Sequence, residues 1–488
     1  MTRSIVRSAA LARLALLCPL LLVSACVVLS PGSIPELVES EESRIVPVPG
    51  LFRLENGLEV WHLESSRVPV VEVAVVVRGG ASLDPAGKAG LAALTLTMLD
   101  EGAGERTALE LADEIDFLGA TLETGAERDE STVRLRCLAR NLDDAVAILS
   151  DVVLRPRFAP EEWDRVKALW LNDLVQRREQ PTIVARVVAD RFFYGDDHPY
   201  GRPIDGFEPD VASIEHVEVE SFYRKLFDPR RAVVVCVGDV SRSELAASLE
   251  RHLGAWKGAD AEPIEAPLAP AVSPATRRVI VVDKPDAPQT VIRIQLPAPS
   301  RFTKELAPLE LANIVFGSSF TSRLSMNLRE KNKFTYGAGS GLANRTGGSY
   351  LVAQSSVYSQ STGPALRELC KEFRRMGSDE GLTEYEETKA RATYRNRLVE
   401  TLEAAAGTLD VYIEAAAAAK PPITPRQYFG RVTAQTAEEV VDACRRVFRW
   451  EHALIVLVGD RALVEKQLAE LEGECGLPEA VVVDRDGN

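Results

Sequence analysis

Ala232-Val-Val-Val-Cys-Val-Gly-Asp239 recurs as Ala453-Leu-Ile-Val-Leu-Val-Gly-Asp460, 221 residues further on. In both copies an unbroken apolar run ends in Gly-Asp and gives way to a helical pattern, which reaches Leu253 in one and Leu471 in the other. The same offset, to within one residue, relates Val71-Glu-Val-Ala-Val-Val-Val77 to Val291-Ile-Arg-Ile-Gln-Leu296, and a turn and a long helix are expected after each. Similarity at a fixed offset signals a duplicated unit. Two homologous halves are therefore expected at residues 45–256 and 277–488. Between them, residues 257–276 are rich in Ala, Pro and Glu without an apolar period, the pattern of an exposed linker.

Strand-like runs at 70–77, 131–138 and 232–237 alternate with amphipathic helical patterns at 108–118 and 142–153. That mixture is α+β, with helices packed on a mixed, mostly antiparallel sheet in each half. In the second half Thr383-Glu-Tyr-Glu386 forms a capping box opening a helix to about Glu400, and Pro421-Pro422 closes the alanine-rich helix that follows.

At the start of the chain, Arg3, Arg7 and Arg13 precede an apolar run from Leu14 to Val23 that is too short to span a bilayer as a mature helix. Residues 1–25 therefore read as a signal peptide. Val23-Ser-Ala-Cys26 resembles the lipobox at which bacterial lipoproteins are cleaved and acylated, so Cys26 is the expected lipidation site and 26–44 a tether. The alternative is an ordinary secretory signal with an incidental cysteine. The expected location is the periplasmic side of the cell envelope, and the absence of aspartate after Cys26 leans toward the outer membrane.

Loss of the signal peptide removes three arginines and no acids, taking the formal charge from −15 to −18. Nucleic acid is excluded as a partner, since phosphate binding needs clustered Lys and Arg. Five cysteines remain in the body, Cys137, Cys236, Cys370, Cys444 and Cys475, with no C-x-x-C spacing. They are expected to be buried thiols and not a disulfide framework.

Arg78-Gly-Gly-Ala-Ser-Leu-Asp84 followed by Gly87-Lys-Ala-Gly-Leu-Ala92 resembles the strand-turn-helix entrance of the insulinase/pitrilysin (inverzincin) peptidases. Further blocks stand in that family's order: Arg155-Pro-Arg-Phe-Ala-Pro160, Tyr194-Gly-Asp-Asp-His-Pro-Tyr-Gly201, Ser319 to Lys331, Phe334-Thr-Tyr336 and the closing Val458-Gly-Asp460. The resemblance covers about residues 45 to 475 and implies a clam-like half-shell. In the family a helix carrying H-x-x-E-H follows the entrance. Its two histidines bind Zn²⁺ and its glutamate takes the proton of the metal-bound water. Here those positions hold Ala93, Leu96 and Thr97, and the family's third ligand falls near Asp173. Alanine, leucine and threonine supply neither imidazole nor base, so no zinc is expected in this chain.

The second half keeps Arg329 and Tyr336, which match the family's arginine-tyrosine pair, donors implied to act on the substrate carbonyl. The alternative for this pair is a solvated helix end for Arg329, beside Glu330 and Lys331, with Tyr336 packed in the core. Some bacterial members divide the two motifs between two chains, and this sequence resembles the arginine-tyrosine chain. The resemblance thus implies the substrate-binding subunit of a heterodimeric zinc peptidase acting on peptides, with Zn²⁺ in an H-x-x-E-H partner. Two other readings stay open, a non-enzymatic peptide-binding or scaffold lipoprotein and a hydrolase with rearranged ligands. His198 reads as a hydrogen-bonded turn residue, no G-x-S-x-G elbow occurs, and Gly337-Ala-Gly-Ser-Gly341 lacks the lysine of a phosphate loop.

Overall fold

Two apolar strands in each half set the architecture. In the computed structural model, which describes residues 45–258, 278–378, 380–471 and 473–488, twelve strands form two six-stranded mixed sheets. The signal peptide, Cys26, the tether and nearly all of the expected linker lie outside the described residues. Sheet one has the order β1 (Gly50–Arg53), β2 (Glu59–Glu64), β6 (Ala232–Gly238), β3 (Val70–Arg78), β5 (Glu130–Leu138), β4 (Thr121–Ala126). Sheet two runs β12 (Ala480–Val483), β7 (Arg278–Asp283), β11 (Leu454–Gly459), β8 (Gln289–Ala298), β10 (Ser349–Tyr358), β9 (Ala338–Ala343). In both, the third strand pairs parallel with the second and antiparallel with the fourth. The duplicated sequence is thus a duplicated sheet, and the fold is α+β. The first position differs: β1 pairs antiparallel with β2, whereas the C-terminal β12 pairs parallel with β7.

The central strands are apolar throughout because both their faces are covered. Val71, Val73, Val75 and Val77 enter the first half's main core, while Ala74 and Val76 face the other way. The cover on that second face comes from the other half. Helix Ala405–Ala417 lays Leu409, Tyr412, Ile413 and Ala416 on Trp61, Val76, Val233 and Val235 of sheet one. Conversely, helix Pro181–Tyr194 lays Val184, Val188 and Phe193 on Ile280, Val291, Val456 and Val458 of sheet two. Each half lends one helix, so neither sheet is dry on both faces without the other.

The exchanged helix Pro181–Tyr194 also carries a charge into the junction. Asp190 is buried, with Arg128 Nη2 at 2.8 Å and Arg345 Nη2 at 3.4 Å, and Gln295 Nε2 donating to it from 3.3 Å. Burial alone would raise its pKa, but Arg345, Arg128 and Arg293 outweigh burial and hold it low. Tyr194 Oη donates to Gly348 O at 2.6 Å and accepts from Arg345 at 3.0 Å, tying the same helix to the β9–β10 turn.

The long helices expected after β3 and β8 are short in the structure. Helix Leu91–Thr97 stops after seven residues, with the Thr95 and Thr97 hydroxyls donating to their own i−4 carbonyls, a pattern that competes with a straight continuation. Its counterpart Ala307–Asn313 runs on as a π-helical turn, Ile314–Ser318. The capping box at Thr383 opens helix Glu384–Glu403. Among the described residues, no helix is long and apolar enough to cross a membrane. Cys137, Cys236, Cys370, Cys444 and Cys475 are all buried.

Candidate functional site

The first half builds its site around the start of helix Leu91–Thr97. Gly90 is left-handed there, with φ 99°, and a Cβ on it would come within 2.9 Å of the Asp205 carbonyl oxygen, so only glycine fits. Asp84, almost fully buried, accepts from the Gly90 and Ala92 backbone N–H groups at 2.9 and 2.8 Å and aims the helix. Burial pushes its carboxyl up to about 7 against the pull of those hydrogen bonds.

What the helix presents is apolar. Ala93 and Leu96 are buried, Leu96 completely, and the Thr97 hydroxyl donates to Ala93 O at 3.1 Å. Asp173 is exposed on the separate helix Pro160–Arg177. This donor set does not fit zinc: Ala93 and Leu96 offer no ligating atom, and Thr97 spends its hydroxyl on the helix. Among the described residues, no three His, Cys, Asp or Glu side chains are grouped as metal ligands. His62 faces the Val240 carbonyl at 3.0 Å, and His252 faces Asp143 at 3.2 Å. His198 caps its turn, its Nδ1 accepting from Tyr200 N at 3.0 Å.

The second half presents polar groups on an irregular backbone. Arg329 lies in the π-helical segment Ser325–Lys331, a conformation rare in proteins and concentrated at functional sites. The segment closes where Asn332 N and its Nδ2 both donate to Asn327 O at 3.0 Å. Lys333, at φ 57°, then reverses the chain. The guanidinium of Arg329 stands 4.5 Å from the ring centre of Phe320, itself 70 % exposed, and its Nε lies 3.3 Å from Glu330. Tyr336 follows the turn and is 80 % exposed, so it does not pack in the core. Its ring meets that of Tyr358 edge-on at 6.2 Å, and the hydrogen bond that Tyr358 donates to Tyr336 raises the Tyr358 pKa. Arg329 and Tyr336 thus have separate neighbours, each flanked by an exposed aromatic ring.

Phe320 and Tyr358 were not singled out in the sequence. Phe320 lies inside the block Ser319–Lys331, and Tyr358 ends a strand whose alternate residues face outward. A cavity of about 810 Å³ also opens at the junction of the halves, where strands β4 and β9 end at Ala126 and Ala343. Among the described residues each of those strands has one partner, and its other edge is unpaired. The cavity is lined by arginines and acids, among them Glu130, whose carboxyl is pushed up to about 7 by burial.

Comparison with known proteins agrees with this geometry. Residues 60–196 match the family described as Insulinase (Peptidase family M16), and residues 213–394 match the one described as Peptidase M16 inactive domain. The inactive-domain match includes Arg329 and Tyr336. An uncharacterized zinc protease of Mycobacterium leprae is 25% identical, covering 72% of this chain and 78% of that protein. One of Rickettsia felis is 23% identical, covering 82% and 94%. Of solved structures, a peptidase M16 inactive domain from Pseudomonas fluorescens superposes with a TM-score of 0.78 at 22% identity, covering 84% of this chain and 98% of its own. A protease from Helicobacter pylori gives 0.77 at 17% identity, covering 84% and 100%. With both halves matched in order by descriptions of one family, and with its duplicated sheets, the chain belongs to the insulinase (M16) peptidase family.

Proposed function

We propose that this chain is the substrate-binding subunit of a two-chain zinc peptidase, with the metal and general base supplied by an H-x-x-E-H partner. The observation that carries the reading is the contrast between the two candidate sites: Ala93, Leu96 and Thr97 have no catalytic donors, while Arg329 stands half-buried against Phe320 and Tyr336 stands exposed against Tyr358. A similar Arabidopsis thaliana protein, 22% identical over 44% of this chain, is named as a probable mitochondrial-processing peptidase subunit beta, which supports a multi-chain assembly.

In this reading an extended peptide adds to an unpaired edge, β4 or β9, through main-chain hydrogen bonds. Arg329 and Tyr336 then donate to the scissile carbonyl as negative charge develops on its oxygen, the stage at which such donors contribute most. The first half supplies scaffold. The lipid on Cys26 would hold the assembly to the envelope membrane, on its periplasmic side, and the acidic mature chain favours encounter with basic peptides.

The test uses the purified mature chain, alone and mixed with the H-x-x-E-H protein encoded nearest to it, on a quenched peptide library with zinc content measured in parallel. Cleavage is expected only in the mixture. It is expected to fall about 10²- to 10³-fold in kcat with Arg329→Ala, the loss typical of one oxyanion donor. No gain from any partner would leave a scaffold or peptide-binding role instead.

A further inference from the structure

The two halves treat one buried carboxylate differently. In the first half Asp151, on helix Leu142–Leu154 behind β5, is held on both oxygens: Arg106 Nη1 lies 2.7 Å from Oδ2 and Arg155 Nε 3.0 Å from Oδ1. Adding the offset of 221 to 151, 106 and 155 gives 372, 327 and 376, where Glu372, Asn327 and Met376 stand. The acid is kept and both arginines are gone. Glu372 lies on helix Thr362–Met376, which follows β10 as the first helix follows β5. Asn327 Nδ2 donates to Glu372 Oε1 at 2.7 Å, while the Met376 sulfur accepts from Arg323 at 3.3 Å and has no proton to give. Among the described residues nothing donates to Glu372 Oε2, although the residue is only 8 % exposed, and Arg375 Nη1 stops 4.0 Å away. A buried carboxylate oxygen without a donor is costly, which points to a partner from outside the chain.

Glu372 lines a cavity of about 440 Å³ between helices Thr362–Met376 and Glu384–Glu403 and the π-helical segment, a volume suited to a small ligand. Ile314, Val315 and Ala390 give it an apolar floor, and the exposed side chains of Met326 and Tyr385 stand at its mouth. Arg329 and Tyr336 do not line it, so it is distinct from the candidate peptidase site. Arg323 and Glu386 form part of its wall and neutralise each other through hydrogen bonds at 2.7 and 2.8 Å. Lys389 spends its ammonium on Thr321 O at 3.0 Å. One acid, Glu372, and two cations, Arg375 and Lys331, are left over. Arg375 holds Glu380 through Nε at 3.3 Å, which leaves its Nη1 beside Glu372.

We propose that this cavity binds a zwitterionic α-amino acid with an apolar side chain. Its ammonium takes the place of the lost arginines on Glu372 Oε2, its carboxylate meets Arg375 and Lys331, and its side chain lies on Ile314, Val315 and Ala390. A carboxylate and a guanidinium 4.0 Å apart match two charged groups borne by one carbon. A simple amine would add a third positive charge to those of Arg375 and Lys331. A fatty acid would leave Glu372 both desolvated and unpaired. The zwitterion meets both requirements and adds no net charge.

The experiment titrates the whole mature chain with L-leucine and follows binding by saturation-transfer NMR. N-acetyl-L-leucine, which lacks the ammonium, and L-leucinamide, which lacks the carboxylate, serve as paired probes. Saturable binding of L-leucine is expected, with each paired probe at least about tenfold weaker. Glu372→Gln keeps an acceptor for Asn327 and should weaken L-leucine at least about tenfold while leaving N-acetyl-L-leucine unchanged. Arg375→Ala should weaken L-leucine and leave L-leucinamide unchanged. If either variant folds poorly, the three probes on the unaltered chain decide the matter. Equal binding of L-leucine and N-acetyl-L-leucine would reduce the cavity to an apolar crevice, and no saturation by L-leucine at about 10 mM would mean that solvent satisfies Glu372. Either result overturns the proposal.

Discussion

Helix Leu91–Thr97 and the segment Ser325–Lys331 hold the candidate chemistry of the two halves, and they differ in backbone before they differ in side chains. The first is a short regular helix whose inward positions, Ala93 and Leu96, have been absorbed into the core. The second is π-helical, ends in a left-handed Lys333 and keeps Arg329 and Tyr336 outside the core. A position that points into tight packing is readily filled by an apolar side chain once its polar role lapses. A half-buried residue such as Arg329 on an irregular segment gains little from such a change. The halves therefore present different groups although five of the six strands in each sheet correspond in order and direction.

The strongest way to break that comparison is to restore the missing groups. Ala93→His, Leu96→Glu and Thr97→His together place a carboxylate where Leu96 is completely buried. An unpaired buried charge of this kind is expected to lower stability by about 4 kcal/mol or more. We expect a fall in the urea midpoint and no stoichiometric zinc. A triple variant that stays folded and binds one zinc would mean that the core has not closed over the site.

Asp190→Asn tests whether the halves are one cooperative unit. It leaves Arg128 and Arg345 facing each other at the junction without their shared anion. Loss of one partner from a buried ion pair lowers stability by about 3 to 5 kcal/mol. Because helices Pro181–Tyr194 and Ala405–Ala417 are exchanged, a single calorimetric transition at lower temperature is expected. Two resolved transitions would show that the halves unfold separately.

Much of this arrangement is legible in the sequence, and the reasons for the remainder are physical. The duplicated sheets are visible because strands covered on both faces must be apolar throughout, as in Ala232–Gly238 and Leu454–Gly459. The lack of ligand-type side chains at Ala93, Leu96 and Thr97 is visible because a ligand set is a matter of residue identity. The helix exchange is not, since the apolar stripe of Pro181–Tyr194 is the same whichever sheet it covers. Nor is the junction: Arg128, Asp190 and Arg345 are brought together only by the tertiary fold. The π-helical turn at Arg329 has no residue signature that separates it from an α-helix, and the exposure of Tyr336 depends on the turn that follows.

Within the second half, Glu386 gives a test confined to one side of the comparison. Burial disfavours its charge, but the paired hydrogen bonds from Arg323, at 2.7 and 2.8 Å, and the Thr383 backbone N–H outweigh burial and bring its carboxyl down to about 2. A carboxylate depressed on folding contributes stability that is present above its unfolded pKa, near 4.5, and is lost as pH falls toward 2. Glu386→Gln should lower stability by about 3 kcal/mol at pH 7, with the gap closing between about pH 4.5 and 2. A gap that does not change with pH would assign the effect to packing.

The smallest expected effect bears on the site proposed around Arg329. The ring of Phe320 lies 4.5 Å from the Arg329 guanidinium and is mostly exposed, so the contact orients the arginine more than it stabilises the fold. A cation–π contact at such a site contributes about 0.5 to 1 kcal/mol. Phe320→Ala should therefore leave the melting temperature nearly unchanged and reduce the kcat of the partnered enzyme by about 2- to 5-fold, while Phe320→Tyr restores it. If Phe320→Ala loses as much as Arg329→Ala, the ring must touch substrate directly. If it loses nothing, Glu330, 3.3 Å from Arg329 Nε, is enough to hold the arginine in place.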